Sequence, residues 1–529
     1  MVNPEPWWRD AVVLEVYPRS FADSDGDGVG DLAGIAAHLD HVAALGADAV
    51  WLTPFQRSPQ ADHGYDVADY CDVDPLFGDL AGFDALLGRA HDLGLRMIID
   101  LVANHCSVEH PLFRAALAAG PGSSERARFH FRPGRGPGGG RPPNDWPSVF
   151  GGPAWTRVTE PDGTPGEWYL HLYTPEQPDW NWADPRTAAL FDSVLRFWFD
   201  RGVDGLRIDV AHGFTKAAGL PDLGDLLARY RPMRLGSIAH ASDQEGNHEI
   251  FRGWRRIADS YDPPRMLVGE VNLPADRQWR YTRRDELHQA FAFDLVSAPW
   301  NARAWRTAVS GLLTGRNAGG AACTWAVENH DVVRTPTRYG GGRGAARARA
   351  ALLAVLGLPG AVYLYQGQEL GLPEAEVPPD RRQDPAFERT GTTRDGARVP
   401  IPWTRHPAGA HGFSPGGGQP WLPVPDGWGR WSVEEERDDP GSALSLTRSA
   451  VALRRKLHAD GVLDADDAVE VELTGDDALI ARRPSGFALV VAMGDRPARL
   501  PAGAVLLASA ETAGGLLPAD AAAWVLAQR

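Results

Sequence analysis

A chain of 529 residues with 43% hydrophobic and 23% charged residues has ordinary globular composition and room for a large domain plus one or two smaller ones, which excludes a mainly disordered protein. Its formal charge of −16 repels phosphate backbones and anionic lipid, so nucleic acid and membrane surfaces are not expected partners and small neutral molecules are. Cys71, Cys106 and Cys323 are too few and too widely spaced for a disulfide framework or a structural zinc, and the absence of a secretory or bilayer-length apolar run leads us to expect a cytoplasmic protein, monomeric or homodimeric.

Short β-rich apolar runs recur through the first 370 residues, separated by stretches long enough for a helix. The first is Ala11 to Pro18. An acidic loop follows, with Asp23, Asp25, Asp27, Val29 and Asp31 at alternate positions and Gly26, Gly28 and Gly30 permitting a tight turn; such spacing suits oxygen ligation of Ca²⁺, although the twelfth position is Gly34 rather than the Glu of a complete EF-hand. A nucleotide-binding reading of this Gly-rich loop fails because its carboxylates would repel a pyrophosphate. Further runs are Ala49 to Pro54 and Arg96 to Leu101, after which residues 106–181, rich in Trp, Pro and Gly, read as an inserted small domain.

The series resumes with Gly205 to Val210, Arg265 to Val271, Gln289 to Leu295, Ala322 to Val327 and Gly360 to Tyr365. Eight strands alternating with helices predict a (β/α)8 barrel over residues 1–105 and 182–457, with an irregular insertion at 373–437 after the eighth strand. Arginines between Arg343 and Arg349 read as the solvated face of a helix. Residues 458–529 change to short alternating segments, among them Ala468 to Leu473, Ala478 to Arg482 and Phe487 to Ala492, and predict an antiparallel β-sandwich.

In a barrel of this kind chemistry sits at the carboxyl ends of the strands, where Asp100 with Asn104 and His105, Asp209, Glu270, and His330 with Asp331 all fall. Any one carboxylate at a strand end is better read as a helix cap or ion pair; four such ends in register point to one pocket. Hydrolysis of a glycosidic bond with retention needs two carboxyls roughly 5–5.5 Å apart, which neighbouring strands ending in Asp209 and Glu270 can supply. Arg207, two residues before Asp209, projects to the same side and is expected to keep that carboxylate ionised. Trp146, Trp155, Trp168 and Trp182 are read as core, without individual roles in sugar stacking.

Four segments, Asp100-Leu-Val-Ala-Asn-His105, Gly205-Leu-Arg-Ile-Asp-Val-Ala-His212, Gly269-Glu-Val-Asn272 and Glu328-Asn-His-Asp331, resemble in order and spacing the four sequence regions of the α-amylase family of glycoside hydrolases. The resemblance implies Asp209 as nucleophile, Glu270 as general acid/base and Asp331 as the carboxylate that holds sugar hydroxyls, with His105, Arg207 and His330 as their partners. It further implies that Asp62 and Tyr65 shape a terminal-glucose subsite, that Arg398 closes it, and that the loop from Asp23 to Asp31 holds a structural Ca²⁺, for which Mg²⁺ could substitute; no organic cofactor is expected. Gln177-Pro-Asp-Trp-Asn181 is similar to the signature of the α-glucosidase and oligo-1,6-glucosidase group, with Trp180 in place of Leu. An exo-acting enzyme on short α-glucoside oligosaccharides is therefore expected. Val210 resembles the α-1,6-acting members, whereas Ala211-His212 departs from the oligo-1,6-glucosidase pattern and the region Arg381 to Trp403 looks more like α-glucosidases acting on maltose-type substrates. The alternatives are an oligo-1,6-glucosidase, or a transferase or isomerase using the same covalent intermediate; a non-catalytic membrane-anchored relative is disfavoured by the presence of all three acidic residues.

Overall fold

Eight parallel strands, β1 (Val12–Val16), β2 (Ala49–Leu52), β3 (Arg96–Leu101), β4 (Gly205–Ile208), β5 (Met266–Gly269), β6 (Gln289–Ala290), β7 (Thr324–Trp325) and β8 (Ala361–Tyr365), lie side by side in the order β6-β5-β4-β3-β2-β1-β8-β7. That is the cyclic order of a (β/α)8 barrel, and the computed structural model describes it over residues 6–528 apart from Ala292, Gly320, Gly341, Gly417 and Asp476. The strands are buried along almost their whole length, as expected of a parallel sheet covered by helices, and this is why they read as apolar runs rather than alternating ones. Inside the barrel the Tyr363 hydroxyl donates to Gln289 Oε1 at 2.8 Å, linking β8 to β6.

The helices outside follow from caps and spacing. Leu32–Leu45 begins at Asp31, whose carboxylate accepts from the Gly34 N–H, and ends at Gly46 in the left-handed region at φ 86°, where a Cβ would meet Val451 at 2.9 Å. Pro185–Asp200 has Asp184 as its N-cap and Pro at the first turn, and buries Phe191, Val194, Leu195 and Trp198 along one stripe. The sixth run is shorter than its apolar stretch suggests: β5 stops at Gly269, so the ladder offers no partner beyond Ala290, and Phe293–Val296 turns into a short helix. Ala292 of that run lies outside the described residues. Between β5 and β6 the only α-helix is Ala275–Gln278, so the alternation is least regular there.

Residues 106–181 carry a three-stranded antiparallel sheet in which Phe131–Arg132 and Trp155–Thr159 flank Pro165–Leu170. Trp146, Val149, Phe150 and Trp155 from this segment share an apolar cluster with Val210, Leu235 and Ile238 after β4, so the insertion is packed against the loop that bears the nucleophile candidate. Trp182 stacks on Phe214 with centroids 5.0 Å apart, and Trp146 and Trp155 are fully buried, so these tryptophans are core. Beyond the barrel, Glu470–Thr474, Ala478–Arg482, Phe487–Ala492, Ala521–Leu526 and Ala504–Ala508 form one antiparallel sheet, and a two-stranded ribbon, Ala498–Arg499 with Leu516–Leu517, covers one face through Leu517 against Ile480, Val490 and Ala523. Arg343 and Arg347, expected on a solvated face, instead both meet Asp520 at 2.8 and 3.1 Å and tie the barrel to this domain. Among the described residues no helix is long and apolar enough to cross a membrane.

Candidate active site

A cavity of about 250 Å³ opens among the loops at the carboxyl ends of the strands, and Asp62, Tyr65, His105, Asp209, Val210, Glu270, His330, Asp331 and Arg394 line it. Arg207 stands beneath, fully buried within β4, and its guanidinium organises the floor: Nη1 donates to Asp100 Oδ1 at 2.8 Å and to Asp209 Oδ1 at 2.7 Å, and Nη2 to Glu270 Oε2 at 2.8 Å. Asp209 and Glu270 thus share one cation. Three carboxylates on one guanidinium leave excess negative charge if all ionise.

Arg207 pulls Asp209 towards its charged form, as expected, but it is shared with two further carboxylates and opposed by burial. Burial pushes Asp209 well above the usual carboxylate range against the pull of Arg207, and Glu270 and Asp100 push it the same way. Burial likewise raises Asp100 to about 6, again opposed by Arg207. An acid whose pKa is raised by folding weakens the fold as pH climbs from its unfolded value, near 3.9, through its folded value; Asp100 therefore contributes a loss of stability between about pH 4 and pH 6. Asp100→Asn is expected to remove that loss and to move the acidic limb of the kcat/KM profile to lower pH, because Asp209 loses a repelling neighbour; an unmoved limb would contradict the assignment.

Asp331 is the opposite case. Burial disfavours its charged form, but the arginines Arg394 and Arg398 outweigh it and hold the carboxyl below the ordinary range. Arg394 Nη1 and Arg398 Nη2 both donate to Asp331 Oδ1, at 3.1 and 2.9 Å. Arg398, expected to close the pocket, is wholly buried behind it and also donates through Nε to the His330 carbonyl at 3.0 Å. The lining position belongs to Arg394, four residues earlier, which also reaches Asp62 Oδ1 at 3.2 Å and Asp384 Oδ1 at 2.7 Å. One guanidinium thereby bridges the loops after β2, β7 and β8. Sequence reasoning missed Arg394 because several arginines crowd the insertion and no periodicity separates them.

Asp62 is further held by Gln177, whose Nε2 donates to Asp62 Oδ2 at 3.1 Å. The neighbouring Asp179 takes Lys216 Nζ at 2.8 Å and Asn104 Nδ2 at 3.2 Å in a fully buried ion pair, and Trp180 Nε1 donates to Tyr70, whose hydroxyl holds the His105 carbonyl. The segment Gln177 to Asn181 therefore clamps the inserted domain onto the pocket rather than supplying a reacting group. Burial lowers His105 to about 3, so its ring is neutral at physiological pH, with Nε2–H donating to the Tyr65 carbonyl at 3.0 Å. Tyr65 stacks on His330 with centroids 5.5 Å apart, which leaves the His330 face covered.

Val210 has φ 46°, a left-handed conformation that a β-branched residue rarely takes. Its N–H donates to Glu270 Oε2 at 3.2 Å and its carbonyl accepts from Gly213 at 2.8 Å, so the turn after the nucleophile candidate is aimed at the acid candidate. In the acidic loop Asp23, Asp25 and Asp27 bring carboxylate oxygens within 4.8 Å of one another. Asp31, expected among the ligands, stands outside this cluster, where it accepts from the Ser24 N–H, the Ser24 hydroxyl and the Gly34 N–H.

Residues 15–460 match the alpha amylase catalytic domain. The chain belongs to the α-amylase family. Among curated members, a probable alpha-glucosidase of Rhizobium meliloti (strain 1021) is 39% identical over 467 residues, covering 85% of this chain and 82% of that protein. An oligo-1,6-glucosidase of Parageobacillus thermoglucosidasius is 34% identical over 491 residues, covering 85% and 84%. The crystal structure of the alpha-glucosyl transfer enzyme XgtA superposes with a TM-score of 0.87 at 36% identity, covering 98% of this chain and 99% of the other. Within the α-amylase family, then, its relatives include proteins named for hydrolysis and for transfer of glucosyl groups.

Proposed function

We propose that the protein is a retaining, exo-acting α-glucosidase that releases glucose from the non-reducing end of short maltose-type oligosaccharides. The observation that carries this reading is the arrangement around one small cavity: Asp209 and Glu270 on a shared guanidinium, and, beside them, Arg394 bridging Asp62, Asp331 and Asp384 from three loops. A cavity of about 250 Å³ falls below the roughly 300–1,000 Å³ of sites that enclose larger ligands and suits one terminal hexose with its linkage.

Asp209 attacks the anomeric carbon as the bond to the leaving oxygen breaks, and Glu270 delivers its proton to that oxygen; a water then attacks the glucosyl ester, giving its proton to Glu270 and releasing Asp209. Asp331, fixed in its charged form by Arg394 and Arg398, accepts hydrogen bonds from ring hydroxyls and stabilises positive charge developing at the anomeric carbon. His105 and His330 orient the hydroxyls, and Tyr65 offers a ring for stacking. Equal concentrations of maltose, isomaltose, sucrose and trehalose, followed by chromatography, test the specificity: fastest glucose release from maltose supports the reading, and fastest release from isomaltose replaces it with an oligo-1,6-glucosidase. A second reading, transfer of the glucosyl group to an alcohol, is favoured by the likeness to XgtA; oligosaccharide products exceeding free glucose at low substrate concentration would establish it.

The reading includes a stabilising divalent cation. Asp23, Asp25 and Asp27 fit one, since hard oxygen donors converge there, and Val29 would add its carbonyl; Ca²⁺ would neutralise the clustered charge and rigidify the loop before Leu32–Leu45. Chelation is expected to lower the melting midpoint, with Ca²⁺ restoring it and glucose release at 25 °C unchanged. An unchanged midpoint would remove the cation from the account, and equal restoration by Mg²⁺ would remove its selectivity for Ca²⁺.

A further inference from the structure

One charged residue interrupts the apolar first strand. Glu15, 1% exposed in β1, points into the barrel beneath the pocket, where its Oε1 meets His330 Nδ1 in a short hydrogen bond. No substrate contact accounts for it: it does not line the cavity, and Glu15 is absent from the family's four sequence regions as they stand here. From His330 the contacts continue. His330 Nε2 lies 2.8 Å from the Tyr65 hydroxyl, Tyr65 lies 3.3 Å from Asp100 Oδ2, and Asp100 Oδ1 is the acceptor for Arg207 Nη1 at 2.8 Å. Arg207 in turn holds Asp209 and Glu270.

We infer that Glu15 is a positioning residue whose proton sets the direction of this hydrogen-bond chain, and so presents His330 to the substrate as an Nε2–H donor. With the proton on Glu15, its O–H donates to Nδ1, Nε2–H donates towards Tyr65 and Asp331 Oδ2, which lies 3.4 Å away, and the Tyr65 O–H is left to donate to Asp100. With Glu15 ionised, Nδ1 carries the hydrogen, Nε2 turns a lone pair to the Asp331 carboxylate, and Tyr65 must abandon Asp100 to donate to Nε2. The first arrangement satisfies every member; the second leaves two acceptors facing one another.

The surroundings favour the first. Burial pushes the Glu15 carboxyl well above its ordinary range; Arg207, within β4, and a hydrogen bond from the His330 backbone oppose this, while Asp331 and Asp100, from the ends of β7 and β3, reinforce it. Tyr365 of β8 lies beside Glu15 in the ladder, and Trp51 of β2 flanks it on the other side, so neither adds a cation. Burial also lowers His330 to about 3, so the imidazole is neutral and has one hydrogen to place.

The inference rests on the glycosidase reading, and the test separates the two. Wild-type enzyme, Glu15→Gln and Glu15→Leu are compared in kcat/KM for one α-glucoside from pH 5 to pH 10, with melting midpoints measured alongside. Gln donates to Nδ1 but cannot ionise, so Glu15→Gln is expected to keep at least half of the neutral-pH activity and to shift the alkaline limb upward. Leu leaves Nδ1 without a donor, and Glu15→Leu is expected to lose at least tenfold in kcat/KM while melting as a folded protein. An alkaline limb in Glu15→Gln that coincides with the wild type overturns the inference even if Glu15→Leu fails to fold, since a merely structural Glu15 predicts that coincidence. Wild-type enzyme that hydrolyses no α-glucoside overturns the glycosidase reading instead.

Discussion

Asp209→Ala is expected to lower kcat for glucose release by on the order of 10⁴-fold or more while the protein remains folded, because the covalent route needs a carboxylate at this position and neither Glu270 nor Asp331 can replace it. Asp331 is pinned by two arginines, and Glu270 is held on the other nitrogen of Arg207. Removing Asp209 also relieves crowding of buried negative charge, so its melting midpoint is expected to equal or exceed that of the wild type at neutral pH. Steady-state rates with thermal melts of the same preparation check both halves. Activity within tenfold of wild type would remove Asp209 from the mechanism.

Arg207→Met is expected to produce the largest loss of stability of any single change in the pocket. The guanidinium is the cation shared by Asp100, Asp209 and Glu270, and breaking a buried pair by removing one partner costs about 3–5 kcal/mol. The cost depends on pH in a fixed direction. Without Arg207 the pKa values of Asp100 and Asp209 rise further, so the folded variant stays protonated where the folded wild type ionises, and the penalty relative to the wild type grows as pH rises above about 6, the folded value of Asp100. Below that these carboxyls are protonated in both folded proteins and the variant approaches the wild type. Activity is expected to fall by on the order of 10²-fold or more at neutral pH, because a protonated Asp209 is a poor nucleophile. Denaturant titrations at pH 4 and pH 8 check this: a stability difference no larger at pH 8 than at pH 4 would contradict the electrostatic role.

The barrel was legible because each buried strand leaves an apolar run, and the polar ends of β3, β4, β5 and β7 mark one rim. Less was legible where an element depends on its neighbours. The short β6 is ended by the length of β5, a fact of register that Gln289 to Leu295 does not carry locally. Asp31 shows the same limit: its place in the acidic loop suggests a metal ligand, and the structure sets its carboxylate apart from the Asp23, Asp25 and Asp27 cluster, where it caps the helix that begins at Leu32. Arg394 and Arg398 differ by one helical turn in a four-residue helix that begins at Asp395, so which faces the cavity is set by how Asp384 and Asp395 fold the insertion. Glu15 could have been found, since a charge inside an otherwise apolar strand is an inconsistency between levels that proteins tolerate at functional sites.

The most direct measurement is the anomeric form of the first glucose released, followed by proton NMR within the first minutes of hydrolysis of an α-glucoside. Two displacements, by Asp209 and then by water, give α-glucose first, with the β-anomer growing in by mutarotation. β-Glucose as the first product would mean a single displacement by water, and would contradict a covalent role for Asp209.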